Sequence, residues 1–402
     1  MTGIVAGGER RWEERVQRAA HPVVYPLLAR LRAPVRRIPG VGVVVTDPAI
    51  LRTVLLDTAT FTKTGPGSPA DLWTPVLGPR VLLNMEGADH VALRRRLGPL
   101  FAPAAVEALV ADSLGAELSA VTSTLAAGGE VDLVEVARRS ATRVIRRLVG
   151  IEGELGGDLF ARISAITGYV RLTRHGLTPP QVAAAREVLD ELTVHARAAY
   201  AAGDESTVPG RMRGLGLSED EAMGAVGAFV LTGTETIVSH VPRMIAILLD
   251  TGWLRELARD DAPLENAIAE SLRVTTPTPV MLRSVVAEAR VGSVPVRPGD
   301  RLVLATFLAD RASGRFDPVA APAVSLKQLW FGAGVHFCLG APLAMAQIRA
   351  TLEAVLAAER ASPLRIVRRR AVRRSLIPGY ASLVVTGAAP DGRATGRASA
   401  RG

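Results

Sequence analysis

The sequence predicts a mainly α protein with small β-sheets (an α+β fold), and three observations carry that prediction. Most of the 402 residues read as helix. Short β-branched runs are confined to Pro34 to Thr46, Val285 to Leu304 and Leu364 to Val385, which points to minor sheets at the two ends of a helical body. One helix announces both of its own ends: Ser218 and Glu221 form a capping-box pattern and Gly252 supplies a stop.

Each element follows from local chemistry. Val41-Gly42-Val43-Val44-Val45 is short and β-branched, and reads as the clearest strand region. The second strand region turns at Pro298-Gly299-Asp300, and the third is interrupted by Pro378-Gly379. The capped helix runs for about 33 residues, which at 1.5 Å per residue is about 50 Å. Its middle, Ala222 to Thr234, is apolar or small on every side and is expected to be buried. Pro242 is expected to kink it. Ala341 to Ala358 is a further helix pattern. Residues 1–386 are read as a single domain, without internal repeat, and Gly387 to Gly402, rich in Gly, Ala and Arg, as a disordered tail.

Composition removes several classes of function. A hydrophobic content of 48% excludes disorder for most of the chain. There are 48 basic and 39 acidic side chains, a net charge of +9, and Lys63 and Lys327 are the only lysines. The positive charges are spread along the chain except at Arg368 to Arg374, so neither a motif nor a localised stripe argues for nucleic acid. A face that docks an acidic protein remains open. The single cysteine, Cys338, excludes an intramolecular disulfide framework and a multi-cysteine zinc site, and fits a reducing cytoplasm. Met1 to Gly8 followed by Glu9-Arg10-Arg11 has no long apolar core, so neither a signal peptide nor a membrane anchor is expected. Gln328 to Ile348 lacks formal charge, but Gly332, Gly334, Gly340, Pro342 and His336 make a poor lipid-facing helix. No third glycine or βαβ context makes a dinucleotide fingerprint, and P-loop and G-x-S-x-G patterns are absent.

The segment Phe331-Gly332-Ala333-Gly334-Val335-His336-Phe337-Cys338-Leu339-Gly340 is the strongest signal. Its glycines permit tight turns and close approach to a flat ligand. Cys338 falls at or just before a helix N-terminus, where free N–H groups favour a thiolate. A lone thiolate in an apolar loop suits the axial position of haem; the competing reading is a small buried hydrophobe. Glu235 is an anomaly in a buried helix, because an unpaired carboxylate there costs several kcal/mol or shifts its pKa. It pairs with an arginine elsewhere, or it works with Thr236.

The cysteine segment closely resembles the haem loop of the cytochrome P450 superfamily, F-G-x-G-x-H-x-C-x-G, and all six fixed positions match. Three further signatures follow in the family's order. Glu270-Ser271-Leu272-Arg273 resembles the E-x-x-R helix, a buried structural ion pair. Thr232-Gly233-Thr234-Glu235-Thr236 resembles the oxygen-activating motif, in which an acid and an alcohol face the haem. His90-Val91-Ala92-Leu93-Arg94 resembles the H-x-x-x-R helix that holds haem propionates, and i,i+4 spacing sets both residues on one face. The resemblance implies a P450-like fold with haem b (iron protoporphyrin IX) between the long central helix and the cysteine loop and helix. It implies Cys338 as the iron ligand, Glu235 and Thr236 as catalytic residues, and His90, Arg94, Arg283, Phe331, Gly332, Gly334, His336 and Gly340 in haem binding. Thr232, Ile237 and Gln328 depart from the family pattern. His21, His175, His195 and His240 match nothing in it and are read as incidental.

The function so implied is a cytoplasmic monooxygenase inserting one atom of O2 into a lipophilic small molecule, by hydroxylation or epoxidation. Electrons would come from an external ferredoxin or flavodoxin and its NAD(P)H-dependent reductase. The alternatives are a peroxygenase, a rearrangement or coupling enzyme on the same fold, and a non-enzymatic haem-based binding or sensing protein. The expected cavity walls are Gly65 to Asn84, Phe160 to Leu192, Val226 to Thr236, Pro279 to Leu282 and Pro378 to Ser382, with Arg171, Arg174 and His175 available at the entrance for a carboxylate or as solvated surface charges.

Overall fold

A computed structural model describes residues 8–31, 33–150, 159–170 and 176–388. After α1 (Gly8–Ala20) and α2 (Val24–Leu28) come β1 (Val35–Ile38), β2 (Gly42–Val45), α3 (Pro48–Leu56) and the short β3 (Phe61–Thr62). A helical run follows: α4 (Pro69–Leu77), α5 (Gly87–Leu97), α6 (Pro103–Ala126), then β4 (Glu130–Asp132), α7 (Leu133–Val149), α8 (Leu159–Thr167), α9 (Pro179–Ala202) and α10 (Val208–Gly214). At the centre stand α11 (Glu219–Gly233) and α12 (Glu235–Thr251), followed by α13 (Trp253–Arg259) and α14 (Leu264–Thr275). The chain continues through β5 (Met281–Val285), β6 (Ala289–Val291), β7 (Val294–Val296), β8 (Arg301–Leu304) and α15 (Thr306–Arg311). The cysteine loop, α16 (Ala341–Ala361), β9 (Leu364–Ala371) and β10 (Tyr380–Gly387) complete it.

Strands form three small sheets in the order β1-β2-β8-β5-β3, β4-β10-β9 and β6-β7. The valine run of β2 sits inside the first, antiparallel to β1 and parallel to β8, and its side chains are buried. β3 and β4 were not anticipated, because two or three residues are too few to show a period. β10 extends through Gly387, which pairs with Leu364, so the expected tail begins later than Gly387; residues 389–402 lie outside the described residues.

The long helix begins where its cap predicts. Ser218 Oγ accepts from the Glu221 N–H at 3.2 Å and a Glu221 carboxylate oxygen accepts from the Ser218 N–H at 3.0 Å. Gly252, at φ +77, ends α12. The interruption falls at Thr234, between α11 and α12, whereas Pro242 sits inside α12 without ending it. Three hydroxyls account for the break: Thr232, Thr234 and Thr236 donate to the carbonyls of Ala228, Val230 and Thr232. Such back-bonding competes with the helix ladder and bends helices. The Glu219–Thr251 stretch is long and apolar enough to cross a membrane, but its most apolar window is 61% buried inside the protein.

Glu270 and Arg273 on α14 are fully buried and paired at 2.7 and 2.8 Å. Every remaining valence is used. Glu270 accepts from the N–H groups of Asp317 and Ala323, and Arg273 donates to the carbonyls of Asp310, Gly314 and Arg315. The irregular segment leading to the cysteine loop is thereby tied to α14. Glu270→Ala leaves a buried guanidinium without its counter-ion and is expected to cost about 3–5 kcal/mol. A urea denaturation midpoint equal to that of the wild type would contradict this.

Candidate active site

Cys338 lies between two short turns and the start of α16. Gly332 (φ +84) and Gly334 (φ +67) occupy backbone conformations that side chains resist, and a Cβ on Gly334 would lie 3.3 Å from the Leu55 carbonyl oxygen. The Cys338 N–H closes the loop by donating to the Phe331 carbonyl at 2.9 Å. Cys338 is accessible because it lines an internal cavity, yet the protein around it raises its thiol above the ordinary range through burial. The backbone N–H groups of Gly340 and Ala341 and the cations of Arg94 and Lys63 oppose that rise. A metal ion that displaces the thiol proton would supply the charge compensation that these groups give only in part.

Beside this loop the structure gathers cations. His90 and Arg94 come from α5, Arg283 from β5, His336 from the cysteine loop and Lys63 from the turn after β3. His90 Nε2 and His336 Nδ1 are 3.1 Å apart, and His336 Nε2 donates to Glu86 at 2.6 Å. Glu86 also accepts the Lys63 backbone N–H at 2.5 Å. Burial, and then the neighbouring positive charges, push His90 down to about 4 and Lys63 down to about 7. Arg283 is pushed down to about 10 by burial, which Glu86 partly offsets. His90 Nδ1 and Arg283 Nε are buried without a hydrogen-bond partner. Basic side chains gathered around one carboxylate, with two orphaned nitrogens, fit an anionic group that would supply acceptors and charge.

The cavity holds about 380 Å³. Its walls are mostly apolar and include Trp73, Phe101, Phe229, Met281, Trp330 and Phe331. Thr232, Gly233, Thr236 and Ile237 of the long helix line it together with Cys338 and Gly340. Thr236 and Cys338 are thus brought to one space. Glu235 does not line that space: it accepts a hydrogen bond from the Ser164 hydroxyl on α8, and burial raises its pKa, opposed by Ser164 and Arg138. The expectation that acid and alcohol both face the cavity therefore holds for the alcohol alone. Successive helical residues diverge by about 100°, and Thr236 takes the inner face. The alternative pairing of Glu235 with an arginine is met only through the longer-range field of Arg138.

The aromatic and apolar cavity surface, the cysteine and the cationic cluster together fit haem: a flat macrocycle, an axial thiolate and two propionates. Gln328, on an exposed left-handed turn, is outside both cavity and cluster.

Several site residues carry no sequence signal. Lys63 and Glu86 reach the cluster from separate loops. Ala141, Val144, Ile145 and Leu148 of α7 line the cavity; their spacing marked a helical stripe but not the space it faces. Leu376 and Ile377 line it where Pro378 to Ser382 were expected. His240 is not incidental: its buried ring lines the cavity, and Nδ1 lies 2.9 Å from the Thr275 hydroxyl. Arg171, Arg174 and His175 lie outside the described residues.

Burial, and then the nearby Arg243, push His240 down to about 3. The folded state holds it neutral while the unfolded chain takes a proton below about pH 6.5, so stability is lost as pH falls from there toward 3. Between about pH 6.5 and 5 the wild type should lose about 2 kcal/mol more than His240→Gln. Parallel stability profiles for the two proteins would contradict this assignment.

No protein-family model matches the chain. It is 30% identical over 332 residues to erythromycin C-12 hydroxylase of Saccharopolyspora erythraea, covering 77% of this chain and 80% of that protein. It is likewise 30% identical to cytochrome P450 107B1 of the same organism, covering 68% of each. Among solved structures, the open cytochrome P450 Eryk from S. erythraea superposes with a TM-score of 0.72 at 26% identity, over 92% of this chain and 96% of that one. A cysteine loop at the start of α16, a cavity under the long helix and this degree of likeness lead to one assignment: the chain belongs to the cytochrome P450 family, the haem-iron monooxygenases.

Proposed function

We propose that the chain is a haem b monooxygenase of bacterial secondary metabolism that hydroxylates or epoxidises a lipophilic small molecule. It takes its electrons in the cytoplasm from a separate ferredoxin or flavodoxin and an NAD(P)H-dependent reductase. The observation that carries this reading is the convergence of Cys338 and Thr236 on one apolar cavity, with Arg94 and Lys63 of the basic cluster acting on the cysteine. The hydroxylase named above supports hydroxylation as the reaction type. The apolar walls favour a substrate with little charge.

Haem bound in this cavity supplies the activation of dioxygen and the transfer of one oxygen atom to the substrate. Cys338 would hold the iron, with the Gly340 and Ala341 N–H groups easing the thiolate's charge. His90, Arg94, Arg283 and His336 would hold the propionates, with Lys63 as an added basic group. Phe331 and Gly340 of the cavity wall, with Gly332 and Gly334 beside them, would help hold the group. Thr236 donates its proton to the Thr232 carbonyl at 3.1 Å, which leaves its oxygen free to accept from a water inside the cavity. Glu235, its carboxyl pushed up by burial, holds a proton more readily than an exposed acid, and Ser164 sets its resting direction. For Glu235 to deliver that proton to the cavity water, its carboxyl would have to leave Ser164 and turn inward.

With a turned-over substrate, Thr236→Ala should keep haem and consume NAD(P)H but release about tenfold less product per reductant. Glu235→Gln should slow turnover by about 10². Unchanged product yield in the first and unchanged rate in the second would remove both residues from the proton path.

A further inference from the structure

The turn between β9 and β10 contributes Leu376 and Ile377 to the cavity wall, yet what holds that turn lies outside the cavity. His21 Nε2, just after α1, is 3.0 Å from the Leu376 carbonyl oxygen, so this nitrogen carries the proton. The Arg374 N–H donates to the Ala19 carbonyl at the end of α1, also at 3.0 Å. From α12, Ser239 Oγ and Arg243 Nη1 donate to the Pro378 carbonyl at 2.6 and 3.3 Å.

Arg243 is fully buried and takes its counter-ion from α1: its Nε lies 3.1 Å from both carboxylate oxygens of Glu13, and its Nη2 also donates to Glu13. Arg311 shares that carboxylate at 3.0 Å. Glu13 is itself only 4% exposed. On the same helix, Trp12 lies under the Arg369 guanidinium of β9 at 4.1 Å, and Arg369 pairs with Asp250 of α12. The N-terminal helix is therefore clamped between α12 and the strand that leads into the turn.

We propose that α1 is a positioning element for the substrate cavity, with Glu13 and His21 setting the place of the wall residues Leu376 and Ile377 through the turn that carries them. The inference rests on the cavity being the haem and substrate site. The Pro378 carbonyl is held by an arginine whose charge is balanced chiefly from α1. Without Glu13, that guanidinium is buried with its charge uncompensated and must find another arrangement, which releases the turn. Without His21, the Leu376 carbonyl loses a donor and the wall loses part of its order. In both cases the effect reaches ligands large enough to touch the wall and spares the iron.

The test uses haem-loaded wild type, His21→Ala and Glu13→Gln, titrated spectrally with two iron-binding probes. Imidazole needs only the iron, and clotrimazole carries the same ring on a bulky apolar body that must meet the wall. In His21→Ala the clotrimazole dissociation constant should rise about fivefold, the factor matching one typical hydrogen bond. The imidazole constant and the carbon monoxide difference spectrum should stay within about twofold and unchanged, respectively, at that same scale. Glu13→Gln should act in the same direction and more strongly; should it not fold, His21→Ala decides alone. Clotrimazole binding unchanged in His21→Ala, or both probes weakened equally, overturns the proposal. A wild type that gives no spectral shift with imidazole overturns the functional reading beneath it instead.

Discussion

The arrangement of the site follows from a charge imbalance. Lys63, His90, Arg94, Arg283 and His336 converge from four separate parts of the chain, and Glu86 is the carboxylate set among them. Groups of this kind repel one another and lose hydration when brought together. Burial and mutual repulsion hold the histidines and Lys63 below their ordinary range, and two nitrogens stay without partners. Such a cluster persists at low cost only when an anion completes it, and the two propionates of haem have the required charge and donor-seeking oxygens. Haem held there would meet Cys338 and the cavity-lining residues of the long helix in one space.

Rigid parts frame this site from two directions. On the proximal side, the Glu270–Arg273 pair anchors the irregular segment that delivers the cysteine loop, spending every donor and acceptor it has. On the distal side, three threonine hydroxyls bonded to carbonyls one turn back break the long helix at Thr234. The break separates Glu235, drawn to Ser164 of α8, from Thr236, which stays on the cavity face. A proton held at Glu235 must cross from one side of the helix to the other. The contact with Ser164 makes the position of α8 part of the acid's geometry.

Much of this was legible in the residues, for physical reasons that differ by element. The long helix declared its ends because capping chemistry is local: Ser218, Glu221 and Gly252 act within one turn. The cysteine loop was legible because glycines at fixed spacing from Cys338 mark a backbone that side chains would strain. His90 and Arg94 were legible through the resemblance of their segment to the H-x-x-x-R pattern, which the i and i+4 spacing on one helical face supports. Lys63 and Glu86 were not, since each meets the cluster only through contacts made by the tertiary fold. The cavity face of α7 was hidden for a related reason: an apolar stripe looks the same whether it faces core or void. His21 and His240 looked incidental because their partners, the Leu376 carbonyl and Thr275, lie far along the chain. The break at Thr234 had a visible signal in the alternating threonines, but Pro242 was the stronger local cue and the hydrophobic surroundings of α12 absorbed it.

The central claim is that Cys338 binds haem iron as a thiolate while the cationic cluster holds the propionates. The reduced, carbon-monoxide-minus-reduced difference spectrum of the purified, haem-loaded protein tests it most directly. The account predicts a dominant band far to the red of the position given by histidine or neutral-thiol ligation. A dominant band at that latter position, or a protein that retains no haem, would contradict it.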